Sequence, residues 1–334
     1  MAVYRCNKCG HLEEVVVTQA PSEGRLCSKC QAPVNVYDTA FFIRKLVERY
    51  ISVSRELQAI KQADEAVEAA DNGEQPQAEP MDSMDLRQSA ALATPEQHEP
   101  LKRWFAAAGI APSFDMAAVD MSGYFDEAAL VLGDHYEFLR DLLGRIGWSY
   151  RNQYTSLNVN VGNLAQKDAK FLNRTCREFY SHALFAKYFY QKQDKVIRLG
   201  LQGAKVTRSF FAGGWLEWFA LSKVLAEVRQ QQMVKLTSCA RNVSIRFAND
   251  DVHELDVVFL SAKQKPVVIE CKSGEFRRDI EKFGMLKKRL GLPDGHFIVL
   301  ALDIEEAQAA SLSSMYRVTF ATSQTLAYHV MAVL

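Results

Sequence analysis

The chain has 334 residues, more than one hydrophobic core ordinarily serves, so two or three domains are expected. Forty Lys and Arg balance forty Asp and Glu, which excludes a strongly basic, histone-like binder. The residues are 48% hydrophobic and 24% charged, a globular composition, and no run of about 18 apolar residues marks a membrane span.

The chain opens on Met1-Ala-Val-Tyr-Arg-Cys6, with no apolar run of the signal-peptide kind. Seven cysteines is an odd number, and four of them are grouped as two CxxC pairs. That pattern argues against a disulfide scaffold and for a reducing compartment, so a cytoplasmic location is expected. The four are Cys6, Cys9, Cys27 and Cys30, spaced C-x2-C-x17-C-x2-C. Two residues between cysteines let both thiolates of a tight turn face one ion, and two such turns complete a tetrahedral Zn²⁺ site. Gly10 suits the left-handed turn after the first pair, while Gln31 stands at the matching place after the second. Residues 1–37 therefore resemble a zinc ribbon, with a strand expected over 14–18. Four protein ligands leave no open position, so the zinc is structural.

Over 38–70, Phe42, Leu46, Tyr50, Val53 and Leu57 recur at three- to four-residue steps, which predicts an amphipathic helix. It runs into a tract with ten acidic residues and one Arg over 62–100, punctuated by Pro76, Pro80, Pro95 and Pro100. Such a tract buries too little to offset its ordering entropy, and 71–100 reads as a disordered acidic linker. The ribbon and the 38–70 helix are the surfaces expected to carry a homodimer contact or a protein partner.

Residues 101–203 read as a mostly helical middle region. Helices are predicted over 101–108, 135–150 and 163–192, the last rich in Phe and Tyr, with a short strand over 195–199. From 204 to the end, helix and strand alternate. A helix is expected over 205–230, strands over 242–247, 253–260 and 266–272, and a basic helix over 276–290. A strand over 297–302, a short helix, a strand near 316–321 and a last helix follow. The α/β order of this region is αβββαβ.

The candidate chemistry lies there. Glu217 sits in Gly213-Gly-Trp-Leu-Glu217 on the first helix, and Asp256 in His253-Glu-Leu-Asp256 on a strand. Glu270 and Lys272 end the next strand, Ile269-Glu-Cys-Lys-Ser273. Residues i and i+2 of a strand share a face, so Glu270 and Lys272 project together and Cys271 points away. By the same alternation Leu255, Val257 and Phe259 form a core face, with Asp256 opposite. Two hard-oxygen carboxylates suit Mg²⁺ or Mn²⁺, which polarises a phosphodiester and acidifies water. Lys272 would stabilise developing phosphorane charge, or help deprotonate the water if its own pKa is depressed. Glu217 would be a further ligand or hold a water. Taken singly, a Glu-x-Lys is often an edge ion pair and an Asp at a strand start a turn residue; jointly, in this order, they point to a nuclease centre.

Those pieces, with Phe283-Gly-Met-Leu-Lys-Lys-Arg-Leu-Gly291, resemble the PD-(D/E)xK, restriction-endonuclease-like superfamily. The nearer likeness is the nuclease domain of the CARF-domain CRISPR ancillary nucleases, over about 205–300. The resemblance implies a restriction-endonuclease-like core that cuts DNA or RNA with a divalent metal, Glu217, Asp256, Glu270 and Lys272 being the matching active-site positions. Two departures stand out. Trp218 follows Glu217 where a second acid is common, and no Rossmann-like CARF pattern precedes the nuclease, so activation by a cyclic oligonucleotide is not implied. The alternative is a non-catalytic nucleic-acid- or protein-binding adaptor on a degenerate nuclease fold.

Weaker signals accompany these. Arg277, Arg278, Lys282, Lys287, Lys288 and Arg289 make the 276–290 helix basic, fit either for phosphate or for an ordinary solvated face. Phe210, Phe211, Trp215 and Phe219 have core spacing, and His253 reads as a surface histidine or a proton shuttle.

Overall fold

A computed structural model describes residues 2–6, 9, 11–15, 26–34, 36–38, 43, 95–114, 123–231 and 234–334. The chain divides into two compact units, Met1–Gln77 and Ala78–Leu334. The helix expected over 38–70 and most of the linker expected over 71–100 lie outside the described residues.

In the first unit, β1 (Ala2–Arg5) is the middle strand of an antiparallel sheet between β2 (Leu12–Val15) and β3 (Val36–Asp38). Tyr4 is buried, and its hydroxyl bonds both Glu13 on β2 and Ser28 in the second cysteine turn. One side chain thus ties that turn to the first hairpin.

In the second unit, a six-stranded mixed sheet runs in the order β12-β11-β10-β9-β8-β4. Its strands are β4 (Ala111–Phe114), β8 (Leu236–Arg246), β9 (Val252–Ser261), β10 (Pro266–Lys272), β11 (Phe297–Ala301) and β12 (Thr319–Ala321). Antiparallel hairpins join β8, β9 and β10, while β10, β11 and β12 are parallel. The parallel steps need crossovers, supplied by α7 (Ile280–Arg289) and α8 (Glu306–Tyr316). Both contribute to one core, with Phe283, Leu286 and Ala309 over Val268, Val299 and Phe320. The other sheet face carries Val257, Phe259, Ile269 and Leu300 against α6 (Trp215–Gln230) and α9 (Leu326–Met331). α6 is apolar nearly all round, as a helix buried between layers must be.

The middle region joins both faces. A 3-10 turn, Pro95–His98, leads into α1 (Glu99–Ala107), whose Leu101 and Phe105 share the core of α7 and α8. His98 is buried and stacks on Phe114 of β4 at 4.6 Å. Residues 95–100 are therefore folded rather than part of a disordered linker. Pro100 lies in the first turn of α1, where a missing N–H goes unnoticed, so a residue read as linker punctuation starts a helix. β4 forms the sheet edge, where Pro112 is tolerated.

On the α6 face lie α2 (Tyr124–Asp134), α3 (Tyr136–Arg151), α4 (Gln166–Ser181) and a second sheet, β5-β7-β6. α2 approaches α6 so closely that a Cβ on Gly133 would fall 2.1 Å from the Phe219 ring. The second sheet is formed by β5 (Ser156–Asn160), β6 (Phe185–Gln191) and β7 (Val196–Leu201). The single helix expected over 163–192 is thus a helix and a strand, and the middle region is less helical than its pattern implies. α4 ends where Ala183 turns left-handed and the Leu184 N–H bonds Phe179 O. Beyond that turn Phe-Ala-Lys-Tyr-Phe-Tyr finds β7 as a ladder partner, and aromatic strand propensity prevails. The helix expected over 205–230 is likewise broken. α5 (Lys205–Ser209) and α6 flank a π turn, Phe210–Gly214, in which Gly213 has φ +140°, a value that suits glycine.

Candidate active site

The centre of the site is a split in the sheet. β9 and β10 pair from Leu260↔Pro266 to Val257↔Ile269 and no further. β10 continues along β11 to Lys272↔Ala301. In the gap the Cys271 N–H finds no β9 carbonyl and donates instead to Asp256 Oδ2 at 2.7 Å. Asp256 thereby replaces a ladder partner and is held where the strands part.

The faces change at the same level. Val258 and Leu260 belong to the α7 side, and Val257 and Phe259 to the α6 side, yet Leu255 is on the α7 side. The expected common face of Leu255, Val257 and Phe259 is therefore broken at Asp256. On β8 the parity also slips. Arg241 pairs with Val257 and Val243 with Leu255, and Asn242 between them is left-handed at φ +55°. A left-handed residue rotates the strand, which turns Asn242 to the same side as Arg241.

Glu270 follows Val268 on the α7 side, and Lys272 follows Glu270. The Lys272 Nζ lies 3.4 Å from Glu270 Oε2 and 5.5 Å above the Phe283 ring. Cys271 faces the other way, its Sγ toward Leu216 O at 3.7 Å. Glu217, on α6, accepts from Arg241 Nη1 at 2.8 Å. In the amide orientation that satisfies its neighbours, Asn242 donates to the same carboxylate at 2.7 Å. The Arg241 guanidinium lies 3.9 Å over the Trp218 ring. Arg241 and Asn242 escaped the sequence reading, which began this strand at 242. The signal available was an Arg-Asn pair standing in the middle of the stretch 236–246, among small and β-branched residues.

Burial dominates the electrostatics. It pushes the Glu270 carboxyl up to about 8, with the Asp256 charge adding to the rise and Lys272 opposing it. It pushes Glu217 up to about 7 against the pull of Arg241, and raises Asp256 against the Cys271 N–H and Lys272. Burial works against the Lys272 ammonium, but Glu270 and Asp256 outweigh it and its pKa is raised. The alternative in which a depressed lysine takes a proton from water does not fit this environment.

One oxygen bears on metal binding. Glu270 Oε1 is buried with no hydrogen-bond partner, an arrangement that costs free energy unless something else satisfies it. Asp256 and Glu270, close enough that the Asp256 charge raises the Glu270 carboxyl, supply hard oxygens of the kind a Mg²⁺-type ion takes, commonly one or two carboxylates with waters and phosphate completing the shell. Among the described residues, no group of three carboxylates converges as tightly as the cysteines do.

The cysteine quartet is the tighter group. The four ligand atoms lie within 4.8 Å of one another, with Cys6 and Cys30 Sγ at 3.4 Å and Cys9 and Cys27 Sγ at 3.7 Å. A tetrahedron with 2.3 Å Zn–S bonds has edges of about 3.8 Å, so the quartet fits such an ion. Gln31, at φ +55°, takes the left-handed place that a glycine commonly fills in such a turn.

The basic helix is largely committed to protein. Lys282 pairs with Asp279, Lys287 with Asp294, Arg289 with Asp251, and Arg277 with Glu275. His253 packs edge-on against Phe247 and lies 3.4 Å from Arg289. Phe210, Phe211, Trp215 and Phe219 are buried in the core.

Residues 204–292 match the family model described as Card1-like, endonuclease domain, so the chain carries a segment similar to a nuclease domain, in agreement with the resemblance read from its motifs. The segment contains Glu217, Asp256, Glu270 and Lys272. Several solved structures resemble the chain, and two of them show the extent of the likeness. One is protein VC1899 from Vibrio cholerae, with 16% identity and a TM-score of 0.47, covering 69% of this chain and 59% of that one. The other is Can2 from Sulfobacillus thermosulfidooxidans, solved in complex with cyclic tetra-adenylate, with 18% identity and a TM-score of 0.49, covering 70% and 60%. The chain thus spans about three-fifths of the length of each. A search of curated proteins finds no significant match. No helix among the described residues is long and apolar enough to cross a membrane.

Proposed function

We propose that the protein is a divalent-metal-dependent nuclease that hydrolyses phosphodiester bonds of DNA or RNA at the split between β9 and β10. The observation that carries this reading is the partnerless buried Oε1 of Glu270, set beside Lys272 and next to Asp256. Asp256 and Glu270 would hold Mg²⁺ or Mn²⁺. When bound, such an ion polarises the scissile phosphate and makes a water more acidic at neutral pH.

The side chains then divide the remaining work. Lys272 stays protonated and offers its charge to the oxygens on which negative charge develops in the transition state. The Cys271 N–H holds Asp256 in place. Glu217, oriented by Arg241 and Asn242 and with a pKa near 7, can hold a water and accept a proton near neutral pH. The four cysteines would hold one structural Zn²⁺, and thiols kept free for it suit a reducing, cytoplasmic setting.

The test is a cleavage panel on single- and double-stranded DNA and RNA with Mg²⁺ or Mn²⁺, using the wild type and Lys272→Ala. Loss of one transition-state charge contact should cost about a hundredfold or more in rate. Equal cleavage by a folded Lys272→Ala variant sinks the assignment. No cleavage by the wild type under any condition favours the adaptor instead.

A further inference from the structure

A groove of about 1520 Å³ lies between α3, the start of β5, and α5 with its π turn. Its lining includes Ser273, the residue after Lys272, and Gly213, four residues before Glu217, so one end lies near the carboxylate and lysine cluster, whose own side chains are not in the lining. The volume exceeds the roughly 300–1,000 Å³ of a small-molecule pocket, which points to a polymer. Most of this wall belongs to residues outside the matched segment 204–292.

Three features mark the wall. Arg140, Gly144, Gly147 and Arg151 line the groove and share one face of α3 by helical spacing. Glycine is the poorest helix former after proline, so two inside one helix need a reason. A Cβ on Gly144 would meet nothing within 4 Å, so close packing is not that reason. Trp148 and Tyr154 stand in the lining 52% and 55% exposed, their rings stacked 5.1 Å apart at 14°. Finally, Arg140, Arg145, Arg151, Lys205 and Arg208 face one acid, Asp141, in the lining of a chain with zero net charge. Arg140 shares its charge with Asp303 at 3.2 Å, Arg145 donates to the Asn158 carbonyl, and Arg208 lies 5.8 Å from the Tyr150 ring centroid.

We propose that this groove is a nucleic-acid strand track: one strand lies over Gly144 and Gly147, with the surrounding arginines and Lys205 on its phosphates and a base stacked on the Trp148–Tyr154 pair. The track delivers the scissile phosphate to Lys272 at the Ser273 end, and in that respect it rests on the nuclease reading. The bare glycine floor admits a sugar-phosphate backbone close to the helix. An exposed aromatic pair offers a face to any unpaired base, which a duplex keeps in its own stack.

Fluorescence anisotropy with short labelled DNA and RNA single strands and the matching duplex, on the full chain without divalent cation, tests it. Trp148→Ala should weaken single-strand binding roughly ten- to a hundredfold. Arg151→Ala should lower affinity equally for all sequences and reduce the salt slope by about one. Gly144→Glu has open space and a better helix former, so it should fold, and should weaken binding at least about tenfold by like-charge repulsion. Wild-type binding by both Trp148→Ala and Gly144→Glu overturns the track, as does duplex binding as tight as single-strand binding and indifferent to Trp148. Groove-dependent binding by a wild type that cleaves nothing supports the track and overturns the nuclease reading. Cleavage by the wild type with the groove variants unchanged in binding overturns the track alone.

Discussion

Replacing Glu270 with Gln should make the metal-free protein more stable at alkaline pH while removing its response to metal. The Glu270 carboxyl has a pKa of about 8 in the fold against 4.5 for an unperturbed glutamate, because it is buried beside Asp256. A raised acid pKa means the folded state prefers the proton. That stability is fully present below pH 4.5 and is lost as pH rises through about 8. One pKa unit corresponds to about 1.4 kcal/mol, so the carboxylate costs the metal-free fold roughly 3–5 kcal/mol at pH 8.5. Gln keeps the size and carries no charge. Wild type and Glu270→Gln should therefore unfold alike near pH 4.5, and the variant should be more stable by several kcal/mol at pH 8.5. At about 2–4 °C per kcal/mol, the difference is readable in a thermal melt. Melts belong in metal-free buffer without chelator, so that the ribbon keeps its zinc. Adding Mn²⁺ at about a hundred times its Kd should stabilise the wild type by about 2.7 kcal/mol and leave the variant unmoved. A variant that is destabilised equally at both pH values, or that Mn²⁺ stabilises like the wild type, refutes the placement of the ion at Glu270.

Asp256→Asn should lower Mn²⁺ affinity in calorimetry, and an unchanged affinity would contradict its role as a ligand. Changing Cys6 and Cys9 together to Ser should release one zinc per chain, measured by elemental analysis, because two thiolates cannot complete a tetrahedral site. A fragment starting at Pro95 should fold, whereas one starting at Leu101 loses the contact of His98 with Phe114 and should melt lower. Gly133→Ala should destabilise the unit by roughly 1–3 kcal/mol in urea unfolding, since its Cβ would fall 2.1 Å from the Phe219 ring.

The sequence alone determined what spacing and chemistry encode locally. The two CxxC pairs imply their quartet because a tight turn brings both thiols of each pair to one side. Glu270 and Lys272 share a face because strand side chains alternate, and the structure places Lys272 Nζ 3.4 Å from Glu270. Strand 266–272 was legible to the residue, bounded by the Gly and Lys-Pro punctuation around it. Aromatic periodicity was less decisive: 163–192 reads as one helix, yet from Phe185 the ladder with β7 prevails, and a partner on another strand is invisible to a local pattern.

Only the tertiary structure decided the geometry of the centre. Alternation places Asp256 opposite Val257, but the left-handed Asn242 and the parting of β9 from β10 turn it into the gap, where the Cys271 N–H holds it. The environment of Lys272 could not be read from Glu-x-Lys, because the sign of a pKa shift is set by burial against neighbouring charge. Arg241 and Asn242 became site residues only when β8 lay beside α6. The groove shows why sequence reading stops there: Trp148, Lys205 and Ser273 are far apart along the chain, and their shared wall exists only once α3, α5 and the end of β10 are packed into one unit.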